Sequence, residues 1–296
     1  MPTTHVKPSE VDAQQLRKRI QSSDLAKSPP TILQELLSVV ENPSSSAKDV
    51  QGIVEHDISC TVKLLKISNS AYYGFSRQVK SIREAIVIIG LEGVKNVAMS
   101  LAVSGPFSMG TPTQRQFLSN LWVHSMATAT AASMLSKSVE HCPPSFAYCA
   151  GLIHDFGKVI LYQVFGVEYE AVILRAREEK ISLQSAEKDC LGVDHAMVGG
   201  WVAEAWDLPE AITQVVKDHH HLAFGNDLSN QKVALVMAAD SASYHCQVGH
   251  GGSFRTRPLD DPAWASLGLD STVFDPVLAE ITKQGDRYLA FLHIDS

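Results

Sequence analysis

This 296-residue sequence contains no cysteine framework. Its 5 cysteines, Cys60, Cys142, Cys149, Cys190 and Cys246, are scattered, odd in number and without a CxxC spacing. That pattern fits free thiols in a reducing cytoplasm and argues against both disulfides and a cysteine metal site. Positive charge is also scarce. Lys and Arg total 25 against 32 Asp and Glu, for a net charge of -7, and no Lys/Arg run offers a footprint for nucleic acid or an anionic membrane. The most apolar runs, Ala85-Ile-Val-Ile-Ile89 and Val233-Ala-Leu-Val-Met237, are too short to span a bilayer. Met1-Pro-Thr-Thr-His5 lacks the charged and apolar regions of a signal peptide. The expectation is a cytoplasmic protein with neither nucleic acid nor membrane as partner. A Gly-rich phosphate loop and a GxSxG elbow are absent too.

Alternating strand patterns are scarce, and helical spacing fills the chain instead. Ser28-Pro29-Pro30 opens a segment in which Ile32-Leu33, Leu36-Leu37 and Val39-Val40 recur at helical intervals. Ser46 caps a second helix, Asp57 opens a third, and Ser81 with Glu84 forms a capping-box-like start to a helix that Gly90 stops. Gly93 to Val103 is helical, and Gly110-Thr-Pro112 marks a turn between lobes. Beyond it, helices are predicted over 117–138, 146–153, 158–177, 182–191, 195–206, 209–220, 232–245 and 274–292, with Gly249-His-Gly-Gly252 as a flexible tract. The reading is all-α: residues 1–27 as an arm or leading helix, 28–108 as an N-terminal helical lobe, and 109–296 as a second helical lobe with a C-terminal helix.

Histidine and aspartate recur in that second lobe in an order suited to a buried metal centre: His124, His154-Asp155, His195, His219-His220-His221 and Asp240. Each sits in an apolar, helix-like segment, where an unpaired polar group is costly, and a shared ion is the economical partner. Imidazole with carboxylate suits Fe, Mn, Zn, Ni or Co better than Ca²⁺. His124, His154, Asp155 and Asp240 supply one ion. His195, His219 and His220 supply a second, with Asp155 bridging. Taken alone, His124 or His195 reads as readily as a hydrogen-bonded core residue, and His221 as a solvated or capping one. Lys158 reads equally as a phosphate contact or as a surface lysine at a helix start. Asn69 and Tyr72-Tyr73 read first as turn chemistry.

Gly151-Leu-Ile-His154-Asp155-Phe-Gly-Lys158 resembles the signature of the HD superfamily of metal-dependent phosphohydrolases. Pro29-Pro-Thr-Ile-Leu33, His56-Asp-Ile-Ser59, Leu64-Leu-Lys-Ile-Ser-Asn-Ser-Ala-Tyr-Tyr-Gly74, Ser81-Ile-Arg-Glu-Ala-Ile-Val-Ile-Ile-Gly90, Asp194-His-Ala-Met-Val-Gly199 and Trp206-Asp-Leu-Pro209 are similar to the HDOD family, the HD-related output domain of bacterial signalling proteins. The resemblance covers about residues 27 to 245. It implies an N-terminal helical lobe packed on an HD-domain, phosphodiesterase-like lobe, and a signalling or regulatory role. Many HDOD members have lost the metal residues. Against the related HD-GYP phosphodiesterases, His124, His154, Asp155, His195, His219, His220 and Asp240 fall at ligand-like positions, and Lys158 matches the lysine after the HD pair. No Gly-Tyr-Pro follows His219-His220-His221, which argues against cyclic-di-GMP hydrolysis. Asn120 stands where some of those enzymes carry a glutamate, which argues against a third ion.

The resulting expectation is a bacterial HDOD-type regulator binding one or two divalent transition-metal ions (Fe, Mn, Zn or Ni). A signalling protein partner and a phosphate-containing small molecule are the expected binding partners. One competing expectation is an active phosphodiesterase or nucleotidase, with a metal-bound hydroxide as nucleophile, Asp155 essential and Lys158 steering phosphate. The other is a metal-free interaction scaffold.

Overall fold

The computed structural model describes residues 13–27, 29–41, 44–70, 72–75, 77–221, 228–261, 264 and 267–294. Among these residues the chain is helical and contains no strand, in line with the all-α reading. The first elements are α1 (Ala13–Gln21), α2 (Asp24–Lys27), α3 (Thr31–Glu41), α4 (Ala47–His56), α5 (Ile58–Ser68), α6 (Ile82–Ile89) and α7 (Leu91–Ser104). There follow α8 (Pro112–Leu135), α9 (Pro144–Ile153), α10 (Phe156–Phe165), α11 (Val167–Glu179) and α12 (Leu183–Leu191). The chain ends with α13 (His195–Ala205), α14 (Glu210–Asp218), α15 (Leu228–His245), α16 (Ser271–Gln284) and a terminal 3-10 turn, Gly285–Phe291.

Side-chain caps set most helix starts. Ser46 and Asp49 satisfy each other's backbone amides at α4, and Asp57 accepts from the Cys60 amide at 2.9 Å to open α5. Ser81 accepts from the Glu84 amide at 3.1 Å, but the Glu84 carboxylate takes the Lys80 amide, so the reciprocal half of the expected box is displaced by one residue. Thr111 and Gln114 form a full capping box, and α8 therefore starts at Pro112 rather than at Phe117. The helix predicted over 158–177 is two helices. Gly166, at φ 54, turns the chain between α10 and α11. The C-terminal helix gives way at Gly285 to the tighter 3-10 turn.

Helix α8 is the axis of the molecule: α9, α15, α16 and the terminal turn all pack on it. Its small residues Ala127, Ala129, Ala131 and Ala132 are buried and let neighbours approach. On α9, a Cβ at Gly151 would stand 3.0 Å from the Thr128 carbonyl oxygen. Trp122 is buried and donates its indole N–H to the Tyr288 carbonyl at 2.9 Å. Residues 13–27 lie against α13: Arg17 pairs with Glu204 at 2.7 Å, and the Trp206 indole donates to the Ala26 carbonyl at 3.0 Å. Helices α3 to α6 gather on α7. The buried apolar residues form one cluster from Leu16 to Phe291, and Phe107 meets Trp122 edge-on at 5.0 Å, across the 108/109 division expected from sequence.

Candidate metal centre

The site is assembled from helix ends and the middles of two long helices. His124 lies mid-way along α8. His154 and Asp155 occupy the bend where α9 stops and α10 begins. Two glycines of the motif let the helices on either side pack closely on their neighbours. A Cβ at Gly157 would overlap the His195 carbonyl oxygen of α13, and only glycine fits such an approach. His195 is the first residue of α13, held there by the Asp194 cap on the Met197 amide at 2.7 Å. His219 caps the C-terminus of α14, with His220 next to it, and α15 supplies Asp240.

These side chains converge on Asp155, which is 2% exposed. Its Oδ2 lies 3.5 Å from His124 Nε2, 3.3 Å from His154 Nε2 and 2.6 Å from Lys158 Nζ. Its Oδ1 lies 3.3 Å from His195 Nε2 and 3.5 Å from His219 Nε2. Asp240 Oδ1 completes the first group, 2.9 Å from His124 Nε2 and 3.6 Å from His154 Nε2. His220 Nε2 completes the second, 2.7 Å from His195 Nε2. Within each of two sets, Asp155 with His124 and His154, and Asp155 with His195, His219 and His220, the ligand atoms lie within 4.8 Å of one another.

Several of these atoms are close without being bonded. His124 Nε2, His154 Nε2, Asp155 Oδ1 and Asp240 Oδ1 are buried and have no hydrogen-bond partner. Left so, each costs about 1–3 kcal/mol. The opposite ring nitrogens are engaged. His154 Nδ1 lies 2.7 Å from the Gly151 carbonyl, His219 Nδ1 2.9 Å from the Val216 carbonyl, and His124 Nδ1 3.0 Å from Ser243 Oγ. His195 Nδ1 meets Glu187 Oε2 at 2.5 Å. Second partners of this kind fix a histidine's orientation and tautomer for a metal. The donor set of imidazoles and carboxylates therefore fits divalent transition ions.

The electrostatics follow from burial and mutual charge. Burial works against ionisation of Asp155, yet His154 and Lys158 together hold its carboxyl well below the usual range. Asp240 is likewise lowered against burial, by the close approach and charge of His124 and His154. Burial first, and then the neighbouring histidines, lower His219 against the pull of Asp155, and the same causes lower His220 strongly. Both are thus neutral at pH 7 and keep a lone pair.

The sequence-predicted residues His124, His154, Asp155, His195, His219, His220 and Asp240 are all brought together. His221 is exposed, as a solvated residue. Lys158 is not a surface lysine: it is 1% exposed and its ammonium is spent on Asp155. Asn69 binds the backbone of Leu65 and Val79, which is a turn role. The tract Gly249–Gly252 is a tied strap rather than a loose one. His250 N–H donates to the Asn120 carbonyl at 3.1 Å, Gly252 N–H to His250 Nδ1 at 2.8 Å, and Ser253 N–H to Tyr244 Oη at 3.3 Å. A Cβ at Gly251 would sit 3.0 Å from His124 Cδ2 and 3.1 Å from Asp155 Oδ2. The segment that would show whether anything replaces Gly-Tyr-Pro, residues 222–227, lies outside the described residues.

Sequence reasoning missed Glu187, Tyr169 and Ser243. Glu187 carried a signal, since it shares a helical face with Leu183, Ala186 and Cys190. A cleft of about 410 Å³ opens onto the centre, floored by Asp155, Asp240, His219 and His220 and walled in part by Arg255 and Arg257.

The HDOD domain model matches residues 26–222. The chain belongs to the HDOD family. An uncharacterized protein of Treponema pallidum (strain Nichols) is 28% identical over 198 residues, 65% of this chain and 37% of that relative, so the chain spans little more than a third of the relative's length. The crystal structure of an HDOD domain protein with unknown function from Geobacter sulfurreducens superposes with a TM-score of 0.77 at 24% identity, over 96% of this chain and 99% of that one. A protein from Marinobacter aquaeolei VT8 named for signal transduction gives 0.76 at 22% identity, over 96% of this chain and 65% of that one. At these identities the two structures establish the shared fold. Among the described residues, no single helix is long and apolar enough to cross a membrane.

Proposed function

We propose that this HDOD protein is a bacterial regulatory protein that holds two divalent transition-metal ions. His124, His154, Asp155 and Asp240 would hold the first. Asp155, His195, His219 and His220 would hold the second. The observation that supports this reading is the convergence of ligand atoms from separate helices, of which His124 Nε2, His154 Nε2, Asp155 Oδ1 and Asp240 Oδ1 are buried with no hydrogen-bond partner. The scaffold reading leaves those atoms uncompensated. The Marinobacter protein's name supports the signalling role. A protein partner would meet the N-terminal helices, where Ile58 and Val87 are each 79% exposed.

The cleft supports a second reading, an active phosphohydrolase. Bound at the centre, such ions would supply Lewis acidity and lower the pKa of water. Arg255 and Arg257 border the cleft, where guanidinium groups suit a phosphate. Lys158 would orient Asp155 rather than reach the ligand, because its ammonium lies 2.6 Å from that carboxylate.

Elemental analysis of untreated protein tests the first reading: the expected content is two ions per chain, and none in Asp155→Ala, with Lys158→Ala retaining them. A metal-free wild type would end it. A screen of phosphodiesters and nucleotides with Mn²⁺ or Fe²⁺ tests the second: turnover in wild type and loss in Asp155→Ala would establish it, and no turnover with both seats filled would leave the regulator.

A further inference from the structure

We propose that Glu187, braced by Tyr169, is the positioning residue that gives the second metal seat its affinity, so that the two seats are unequal by construction. This rests on the two-ion reading above. Glu187 lies on α12 and is fully buried. Its two oxygens are separately committed. Oε1 accepts from the Tyr169 hydroxyl at 2.5 Å, and Oε2 accepts from the His195 amide at 2.8 Å while meeting His195 Nδ1 at 2.5 Å. No lysine or arginine is among its described hydrogen-bond or ion-pair partners. A buried carboxylate without a cation costs several kcal/mol. Its described path toward the proposed ion runs through His195, whose far nitrogen lies 3.3 Å from Asp155 Oδ1.

The contrast with the other histidines identifies the role. His154 and His219 lean on backbone carbonyls and His124 on the Ser243 hydroxyl, all neutral groups. Among these, His195 alone is backed by a carboxylate. Such backing fixes Nδ1 as the protonated nitrogen, aims Nε2 at the ion and raises its basicity. His220 shows no such support: its described hydrogen bond is to His195 itself. The second seat therefore depends on His195, and His195 depends on Glu187. Tyr169 prevents the carboxylate from rotating away.

Titration of the metal-free full-length protein with Co²⁺, followed by absorption and calorimetry, tests this. Wild type should bind two equivalents. Glu187→Gln, nearly isosteric, should bind the first equivalent as wild type does and the second about 10–100-fold more weakly. Tyr169→Phe keeps the carboxylate and should weaken the second equivalent by a smaller factor, which keeps the proposal testable if Glu187→Gln folds poorly. Normal second-site affinity in both variants, even with a lowered metal-free melting temperature, would make Glu187 a structural brace and overturn the positioning role. A wild type that takes fewer than two equivalents would overturn the two-seat reading itself, and the proposal with it.

Discussion

At the scale of the residue, His124, His154, His195 and His219 each divide the ring between a supporting group and the proposed metal seat, and the burial of the cluster has consequences with pH. Burial keeps His219 and His220 below the ordinary histidine value of 6.5. The unfolded chain takes up protons there that the folded chain refuses, so their contribution to stability is complete above about 6.5 and is lost as pH falls below it. His154 runs the other way. Burial opposes its charge, but Asp155 and Asp240 together raise it from 6.5 to about 10. Its contribution is complete below 6.5 and is lost as pH rises toward about 10. The chelator-treated protein is expected to melt at the highest temperature near neutrality and lower on both flanks, as followed by circular dichroism. Added metal should restore the alkaline flank only, because ligands bind deprotonated; a profile indifferent to pH would contradict this. The histidine and aspartate cluster was legible in the sequence because those residues are conspicuous in apolar helical text. Ser243 was not, and Glu187 was marked only by its place on an apolar helical face, because a supporting group betrays its role only through what it faces. The burial of Lys158 was hidden for the same reason: a lysine at a helix start looks the same exposed or enclosed.

At the scale of the element, the HD motif works through its glycines as much as through its ligands. Gly157 lets α10 touch α13 and so brings Asp155 within reach of His195. Gly157→Ala is expected to cost at least the 1–3 kcal/mol typical of overpacking, seen as a lower melting temperature, together with reduced metal content. Retention of both would show that the helices can part without disturbing the seats. Helix starts were readable from their caps, since capping is local chemistry. The break at Gly166 was not, because the residues on both sides keep helical spacing and only the positive φ betrays the turn. The Gly249–Gly252 strap was misjudged for a related reason. Glycine marks backbone freedom in a loose loop and close approach in a packed one, and sequence alone does not separate these.

At the scale of the molecule, Ile58 on α5 and Val87 on α6 are exposed apolar residues that do not line the cleft over the proposed metal centre. Paired Ile58→Glu and Val87→Glu substitutions should leave metal content unchanged and alter stability by no more than about 0.5 kcal/mol each, while weakening co-purification with the proposed protein partner. Loss of metal in that variant would tie the surface to the centre instead. The all-α class was legible from periodicity throughout. The continuity of the core across the expected lobe boundary was not, because it depends on contacts such as Phe107 with Trp122. The wide spread of the ligands along the chain, from His124 to Asp240, with Gly251 covering them, has one more consequence. A nascent polypeptide leaves the ribosome N-terminus first, so a chain halted before Asp240 possesses neither a finished first seat nor its cover. Filling of the proposed first seat would therefore wait for Asp240 to be made, and cells starved of metal during synthesis should still accumulate chains competent to be filled later.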